Sequence, residues 1–223
     1  MTKWTMLQSV KNYLSAFSIS AEDTKKIEKI LSAMRTVDRK FFIENKELVY
    51  IDAAMPAGEG QTISQPSTVG RALMLADIKE GNDVLEVGTA SGWNGCLLAY
   101  LAYPGKVMSI EIFESLSRKA SKNYTNLKSN VEEIGERLDN VIFKTANFFK
   151  MSLEKKWDRI IITAGIIPEQ ENRIEDAAKE MLKDNGILVC PYMAGPMMIL
   201  KKENDHLIKS FTLETYVFVP LVE

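Results

Sequence analysis

Hydrophobic positions near the start of the chain recur at three- and four-residue intervals, the spacing of one helix face. Trp4, Leu7, Val10, Leu14 and Phe17 share a face over residues 3–18. Ile27, Ile30, Leu31 and Met34 share another, opened by the capping run Ser20-Ala21-Glu22-Asp23. Between Val37 and Tyr50 the pattern is irregular. The stretch Met55 to Pro66, with its glycines, prolines and polar residues, reads as a structured loop. Pro66 suits the first turn of the next helix and Ser64 its N-cap. That helix runs through Val69, Leu73, Met74 and Leu75 before Gly81.

Beyond Gly81 the pattern changes to short apolar runs separated by helical stretches. The runs are Val84–Val87, Lys106–Ile110, Asn140–Thr145, Trp157–Ala164 and Ile187–Cys190. Helices fall at Asn94–Ala102, after Glu114 and up to Leu182. The unbroken run Ile160-Ile161-Ile162 is typical of a strand covered on both faces. Met197–Lys201 and Ile208–Phe211 read as a hairpin around Glu203-Asn204-Asp205-His206, and Tyr216–Leu221 ends the pattern. Strands alternating with helices, then a run of strands, predict an α/β fold: a parallel sheet with an antiparallel edge. No repeat or linker interrupts it. The expected organisation is one domain, with helices and a loop over residues 1–65 and an α/β core over 66–223.

Composition narrows the function classes. The chain has 223 residues, a formal charge of −2 and no long basic run, so no nucleic-acid partner is expected. No apolar stretch approaches membrane-spanning length, and the N-terminus lacks a signal-peptide core. Cys96 and Cys190 are the only cysteines, which fits a reducing, cytoplasmic setting better than a disulfide framework. With His206 the only histidine, neither a Cys/His nucleophile nor a His/Cys metal site is expected.

The candidate chemistry lies in Asp83-Val84-Leu85-Glu86-Val87-Gly88-Thr89-Ala90-Ser91-Gly92-Trp93. An apolar run carrying an acid turns through small residues into a helix whose free N–H groups can meet a ligand. Gly88 and Gly92 permit a tight turn and close approach. The turn is not G-x-G-x-x-G, because Ala90 stands at the middle position, and by itself it also suits a purely structural turn. Glu111 ends the next strand, where nucleoside-binding α/β folds hold a ribose diol. An acid there also suits a helix start. In the loop, Thr62 and Ser64 read either as caps or as ligand groups.

Glu86 to Gly92, followed by Glu111, resembles motif I of class I methyltransferases that use S-adenosylmethionine. Gly58-Glu59-Gly60-Gln61-Thr62-Ile63-Ser64-Gln65-Pro66 resembles the Gly-x-Gly-Gln-Thr-Ile-Ser-x-Pro loop of protein-L-isoaspartate (D-aspartate) O-methyltransferases. Arg39-Lys40-Phe41-Phe42, Tyr50-Ile51-Asp52 and Phe218-Val219-Pro220-Leu221 are similar to segments of the same family. The resemblance implies a seven-stranded, doubly wound sheet binding S-adenosylmethionine and methyl transfer to L-isoaspartyl carboxylates of damaged proteins. It implies Ser64 as the active-site serine. Gln61, Thr62, Ile63, Glu86, Gly88, Thr89, Ala90, Ser91, Gly92 and Glu111 would surround the cofactor, with Asn147 and Phe148 at the adenine. Three positions depart from the family pattern. Ser67 stands for a histidine, Ala146-Asn147-Phe148 for Gly-Asp-Gly, and Met198 for a glutamine. The alternatives are a class I methyltransferase with a small-molecule or RNA acceptor, or a cofactor-binding relative without activity.

Overall fold

The computed structural model describes residues 1–204 and 206–223, with Glu133 by its backbone alone. Asp205, in the hairpin turn read from the sequence, lies outside the described residues. Helix α1 (Lys3–Ser15) buries Met6, Leu7, Val10 and Leu14. The buried stripe keeps Leu7, Val10 and Leu14 of the predicted face: Met6 joins it, and Trp4, about 100° round the helix from its centre at 3.6 residues per turn, is 69% exposed. Helix α2 (Ala21–Thr36) buries the predicted face, and the Ser20 hydroxyl caps it by accepting from the Asp23 N–H.

The predicted loop at 55–66 is a small hairpin. Strand β1 (Met55–Gly58) pairs antiparallel with β2 (Gln61–Ile63). Gly58, Glu59 and Gly60 all take left-handed conformations that reverse the chain. Helix α3 (Pro66–Ala76) follows, with Pro66 in its first turn as predicted. Its N-cap is Gln65 rather than Ser64, and the cap makes no side-chain bond. The second helical residue instead reaches across the chain: the Ser67 N–H and hydroxyl both donate to the Asp52 carboxylate. An aspartate from outside the helix therefore does the work expected of Ser64.

The remaining elements are β3 (Val84–Val87), α4 (Trp93–Ala102), β4 (Val107–Glu111), α5 (Glu114–Asn130), β5 (Val141–Thr145), β6 (Trp157–Ile162), α6 (Glu171–Met181), β7 (Leu182–Pro191), β8 (Ala194–Gly195), β9 (Met197–Glu203), β10 (His206–Phe211) and β11 (Tyr216–Val217). Seven strands form one sheet in the order β10-β9-β7-β6-β3-β4-β5. Strands β3 to β7 run parallel, while β9 and β10 return antiparallel at one edge, as the sequence pattern predicts. The Lys183–Gly186 turn lies inside β7 as an irregularity, because Leu182 already pairs with Trp157 and regular pairing resumes at Ile187.

Strand alternation divides the buried residues between two faces. Val84, Val107, Val141 and Ile161 join α1 to α5 in one core. Leu85, Ile110, Ile160 and Ile162 join α6 in the other. Covering both faces makes this a doubly wound α/β fold. It places the carboxyl ends of β3, β4 and β6 side by side, where such sheets bind ligands. Among the described residues, no helix is long and apolar enough to cross a membrane.

Candidate active site

The turn after β3 is held in place from below. Gly88 has φ +100°, and a Cβ there would lie 2.4 Å from Thr163 Oγ1. That hydroxyl donates to the carbonyls of Val87 and Gly88, at 3.0 and 2.6 Å. Gly92, at φ +86°, opens α4 at a point where a Cβ would sit 2.9 Å from Ala120 Cβ on α5. Both glycines of the turn thus answer to backbone conformation and close packing together. Ala90 between them also takes a left-handed φ of +46°.

Glu111 ends β4 and is 5% exposed. One carboxylate oxygen accepts from the Ala90 N–H at 2.9 Å, the other from the Phe113 N–H at 3.2 Å. Each oxygen keeps a further lone pair, the requirement for holding a diol. The same acid therefore both shapes the motif I turn and offers a ligand two acceptors.

Behind the turn lies a buried polar chain. Glu86 is level with Ser109 of β4. The Ser109 hydroxyl donates to one Glu86 oxygen, and Asn94 Nδ2 donates to the other at 2.9 Å. Because Ser109 has spent its only proton, the Thr89 hydroxyl donates to Ser109 Oγ, at 2.6 Å. Burial, with the Glu111 charge nearby, pushes the Glu86 carboxyl up to about 7 against the pull of its two donors.

Two adjoining cavities open over these strand ends. Thr62, Gly88, Ala90 and Thr163 line both and form the boundary between them. The first cavity has Ser64, Thr68, Thr89 and Ser91 around it, with Trp93 and Phe218 as apolar walls. No charged side chain lines it among the described residues. The second has Glu111 at one wall, with Ile112, Ala146, Phe148 and the segment Val219–Val222 around it.

The hairpin above the first cavity hangs from Arg39. This side chain is fully buried, and its guanidinium donates to the carbonyls of Val49, Ile51, Ala53 and Ser64. It stacks 5.1 Å above the Trp93 ring. Burial pulls the guanidinium down to about 10, still charged at neutral pH. The Arg39 and Asp52 motifs are therefore the supports of the loop that carries Ser64. The Ser64 hydroxyl has no protein partner among the described residues, and its carbonyl is the atom Arg39 holds.

Of the residues singled out from the sequence, Gln61, Thr62, Ile63, Ser64, Gly88, Thr89, Ala90, Ser91, Glu111 and Phe148 come together along this groove. Glu86 and Gly92 lie just behind it. Asn147 does not line it: its side chain accepts from the Phe149 N–H at 2.9 Å and caps a short 3-10 turn. The departures Ser67 and Met198 also lie away from the groove lining, one bonded to Asp52 and the other in the core behind the sheet. Thr68, Asn94, Thr163 and Phe218 line the groove without having been singled out as site residues. Thr163 had a usable signal, its place just past the carboxyl end of a central parallel strand. Thr68 had none, because only the docking of α3 beneath the hairpin brings it there.

The groove suits an S-adenosyl ligand: paired carboxylate acceptors for a ribose, apolar walls for a base, and a helix N-terminus beside a left-handed turn. A sequence model of the protein-L-isoaspartate(D-aspartate) O-methyltransferase family matches residues 17–223. A protein-L-isoaspartate O-methyltransferase of Pyrococcus horikoshii is 34% identical over 210 residues, covering 92% of this chain and 89% of its own. One from Fervidobacterium nodosum is 34% identical over 201 residues, covering 86% and 93%. A crystal structure described as a protein-L-isoaspartate O-methyltransferase of Plasmodium falciparum, in complex with S-adenosyl-L-homocysteine, shares the fold. Its TM-score is 0.76 at 22% identity, over 98% of this chain and 97% of that one. The sequence matches extend over nearly the whole chain, and on them the chain belongs to the protein-L-isoaspartate (D-aspartate) O-methyltransferase family.

Proposed function

We propose that the groove between the β1–β2 hairpin and the ends of β3, β4 and β6 is where this chain performs its family's reaction. That reaction is S-adenosylmethionine-dependent methylation of the free carboxylate of L-isoaspartyl residues in damaged proteins. In this reading the adenosine portion occupies the cavity beside Glu111, with Phe148 and Ala146 against the base. The methionine end and the acceptor meet in the first cavity under Ser64. The cofactor, when bound, supplies a methyl group on a positively charged sulfur, which is a good leaving group.

What this chain supplies is placement. A carboxylate acceptor is already ionised near neutral pH, so no side chain has to remove a proton. The first cavity accordingly needs no titratable group, and hydroxyls line it instead. Ser64 and Thr62 hold the acceptor by donating to it, and the apolar walls of Trp93 and Phe218 keep water away. Positioning and desolvation of this kind account for large rate factors without acid–base chemistry. Asn147 acts at one remove, capping the turn that presents Phe148. The chain works as one methyltransferase domain, in the cytoplasm, with isoaspartyl proteins or peptides as its substrates.

The observation that carries the reading is the Ser64 hydroxyl, which has no protein partner among the described residues on a loop buttressed by a buried arginine. Its expected consequence is specific. Ser64→Ala lowers turnover on an isoaspartyl peptide by at least about ten-fold, the effect of roughly 1.4 kcal/mol in the transition state. Calorimetric affinity for S-adenosylhomocysteine and the melting temperature stay near wild type, since the residue caps no helix. Wild-type turnover in the variant, or equal methylation of the isoaspartyl peptide and its aspartyl twin, removes the assignment.

A further inference from the structure

One wall of the Glu111 cavity is the segment Val219–Val222, which belongs to no regular strand of the main sheet. Backbone bonds seat it on the loop after β6: Gly165 N–H donates to Val219 O at 2.7 Å, and Leu221 N–H to Gly165 O at 2.8 Å. The fastening beyond these comes from one carboxamide. Gln170, only 7% exposed, accepts from the Ile167 N–H with Oε1. Its Nε2 donates to Leu221 O at 3.2 Å and to Glu223 Oε1 at 2.9 Å. Arg173, in the first turn of α6, meets the same Glu223 oxygen at 2.7 Å. The Arg173 guanidinium also lies 3.9 Å from the centre of the Phe149 ring, which packs edge-on against Phe148, another wall of that cavity. Two walls of one cavity are thus tied to the N-terminal end of α6, one through its N-cap residue Gln170 and one through Arg173.

We infer that Gln170, assisted by Arg173 through Glu223, is a positioning residue that fastens the Val219–Val222 strap over the cavity and thereby sets how tightly the cofactor is retained. The inference rests on the placement of adenosine beside Glu111 proposed above. Gln170 touches neither cofactor nor acceptor. Its effect belongs to cofactor affinity and release, and the methyl-transfer step is left alone. A buried amide with both a donor and an acceptor in use is hard to replace. Glutamate keeps the acceptor for Ile167 but loses the donor for Leu221, and it sets a second carboxylate against Glu223.

The test uses the full chain, with S-adenosylhomocysteine as the calorimetric probe and hydrogen exchange of the Leu221 amide as a direct report on the strap. Gln170→Glu and Gln170→Ala are expected to raise Kd at least about five-fold, the scale of one lost buried hydrogen bond. Leu221 exchange accelerates, while kcat at saturating cofactor and KM for the isoaspertyl peptide stay within about two-fold. In Gln170→Glu alone, affinity recovers as pH is lowered toward 5, because protonating the new carboxyl restores a donor and removes the repulsion. Glu223→Gln, at an exposed position, weakens binding in the same direction without lowering the melting temperature. Unchanged Kd in Gln170→Glu despite faster Leu221 exchange overturns the inference, as does a loss of kcat with no change in cofactor affinity. A wild type that gives no binding heat with the probe, or a Kd indifferent to Glu111→Ala, tells against the placement of the cofactor itself.

Discussion

Glu86 shows how much one side chain can be asked to do. It is fully buried, anchors Asn94 at the start of α4 and Ser109 on β4, and through Ser109 reaches Thr89 in the turn after β3. Its folded carboxyl titrates near 7, above the ordinary value, because burial disfavours the charge. The folded state therefore binds a proton that the unfolded chain releases at lower pH. Stability from this group is present below about pH 4.5 and is lost as pH rises toward 7, by up to about 3 kcal/mol. Glu86→Gln keeps the shape and can still accept from Asn94 and donate to Ser109. Denaturant titrations at pH 5 and pH 7.5 are expected to show a smaller stability loss with rising pH in the variant. Gly88 makes a steric prediction at the same scale. Gly88→Ala forces an L side chain into φ +100° and against Thr163 Oγ1. S-adenosylhomocysteine affinity should fall at least about ten-fold, on the order of the 1–2 kcal/mol such a conformation costs; an unimpaired Kd refutes the packing argument. Both residues stood out in the sequence as members of the turn. Their particular duties did not, since a proton-sharing partner 23 residues away and a threonine 75 residues away are brought in by sheet register alone.

Among the elements, the β1–β2 hairpin is far from self-sufficient. Its strands have four and three residues, too short to persist unaided. Arg39 replaces the missing sheet by donating to four carbonyls spread from Val49 to Ser64. Removing it leaves one buried and three part-buried acceptors unpaired, a cost of several kcal/mol. Arg39→Ala is expected to lower the melting temperature and to reduce methyl transfer well beyond the loss of folded protein, because Ser64 goes adrift with its loop. Arg39→Lys falls between, since an ammonium cannot reproduce the planar fork. Turnover per folded molecule, measured below the melting temperature, checks this; a normal value in Arg39→Ala separates the loop from catalysis. The glycines and prolines of residues 55–66 led the sequence pattern to a loop there. The hairpin was hidden because its stability is supplied from elsewhere in the chain. The N-cap of α3 was misplaced for the same reason: Ser64 has the right chemistry, but Asp52 arrives through tertiary folding and takes the role.

At the scale of the whole molecule, the two ends of the chain meet beside α3. The hydroxyls of Tyr13 and Tyr216 lie 3.0 Å apart, Tyr216 donates to Glu214, and Glu214 pairs with Arg71 of α3 at 2.7 Å. Burial and these partners push the Tyr216 phenol far above its usual range, so it stays neutral and remains a donor. Phe218, two residues on, lines the first cavity. A double-mutant cycle with Tyr13→Phe and Tyr216→Phe should return a coupling of about 1 kcal/mol. Strict additivity would mean that α1 merely lies alongside. The sequence by itself determined the α/β class, the order of the main-sheet strands along the chain, the antiparallel edge, the glycine turn after the first parallel strand and the acid after it. These follow from local hydrophobic period and from residue chemistry at short range, which act in any context. The tertiary structure alone decided that Asn147 caps a turn, that Ser67 bonds to Asp52, and that Thr68, Thr163 and Phe218 share a cavity with Ser64. Those outcomes depend on which strands become neighbours and at what register, and such long-range choices leave no periodic mark on the residues that make them.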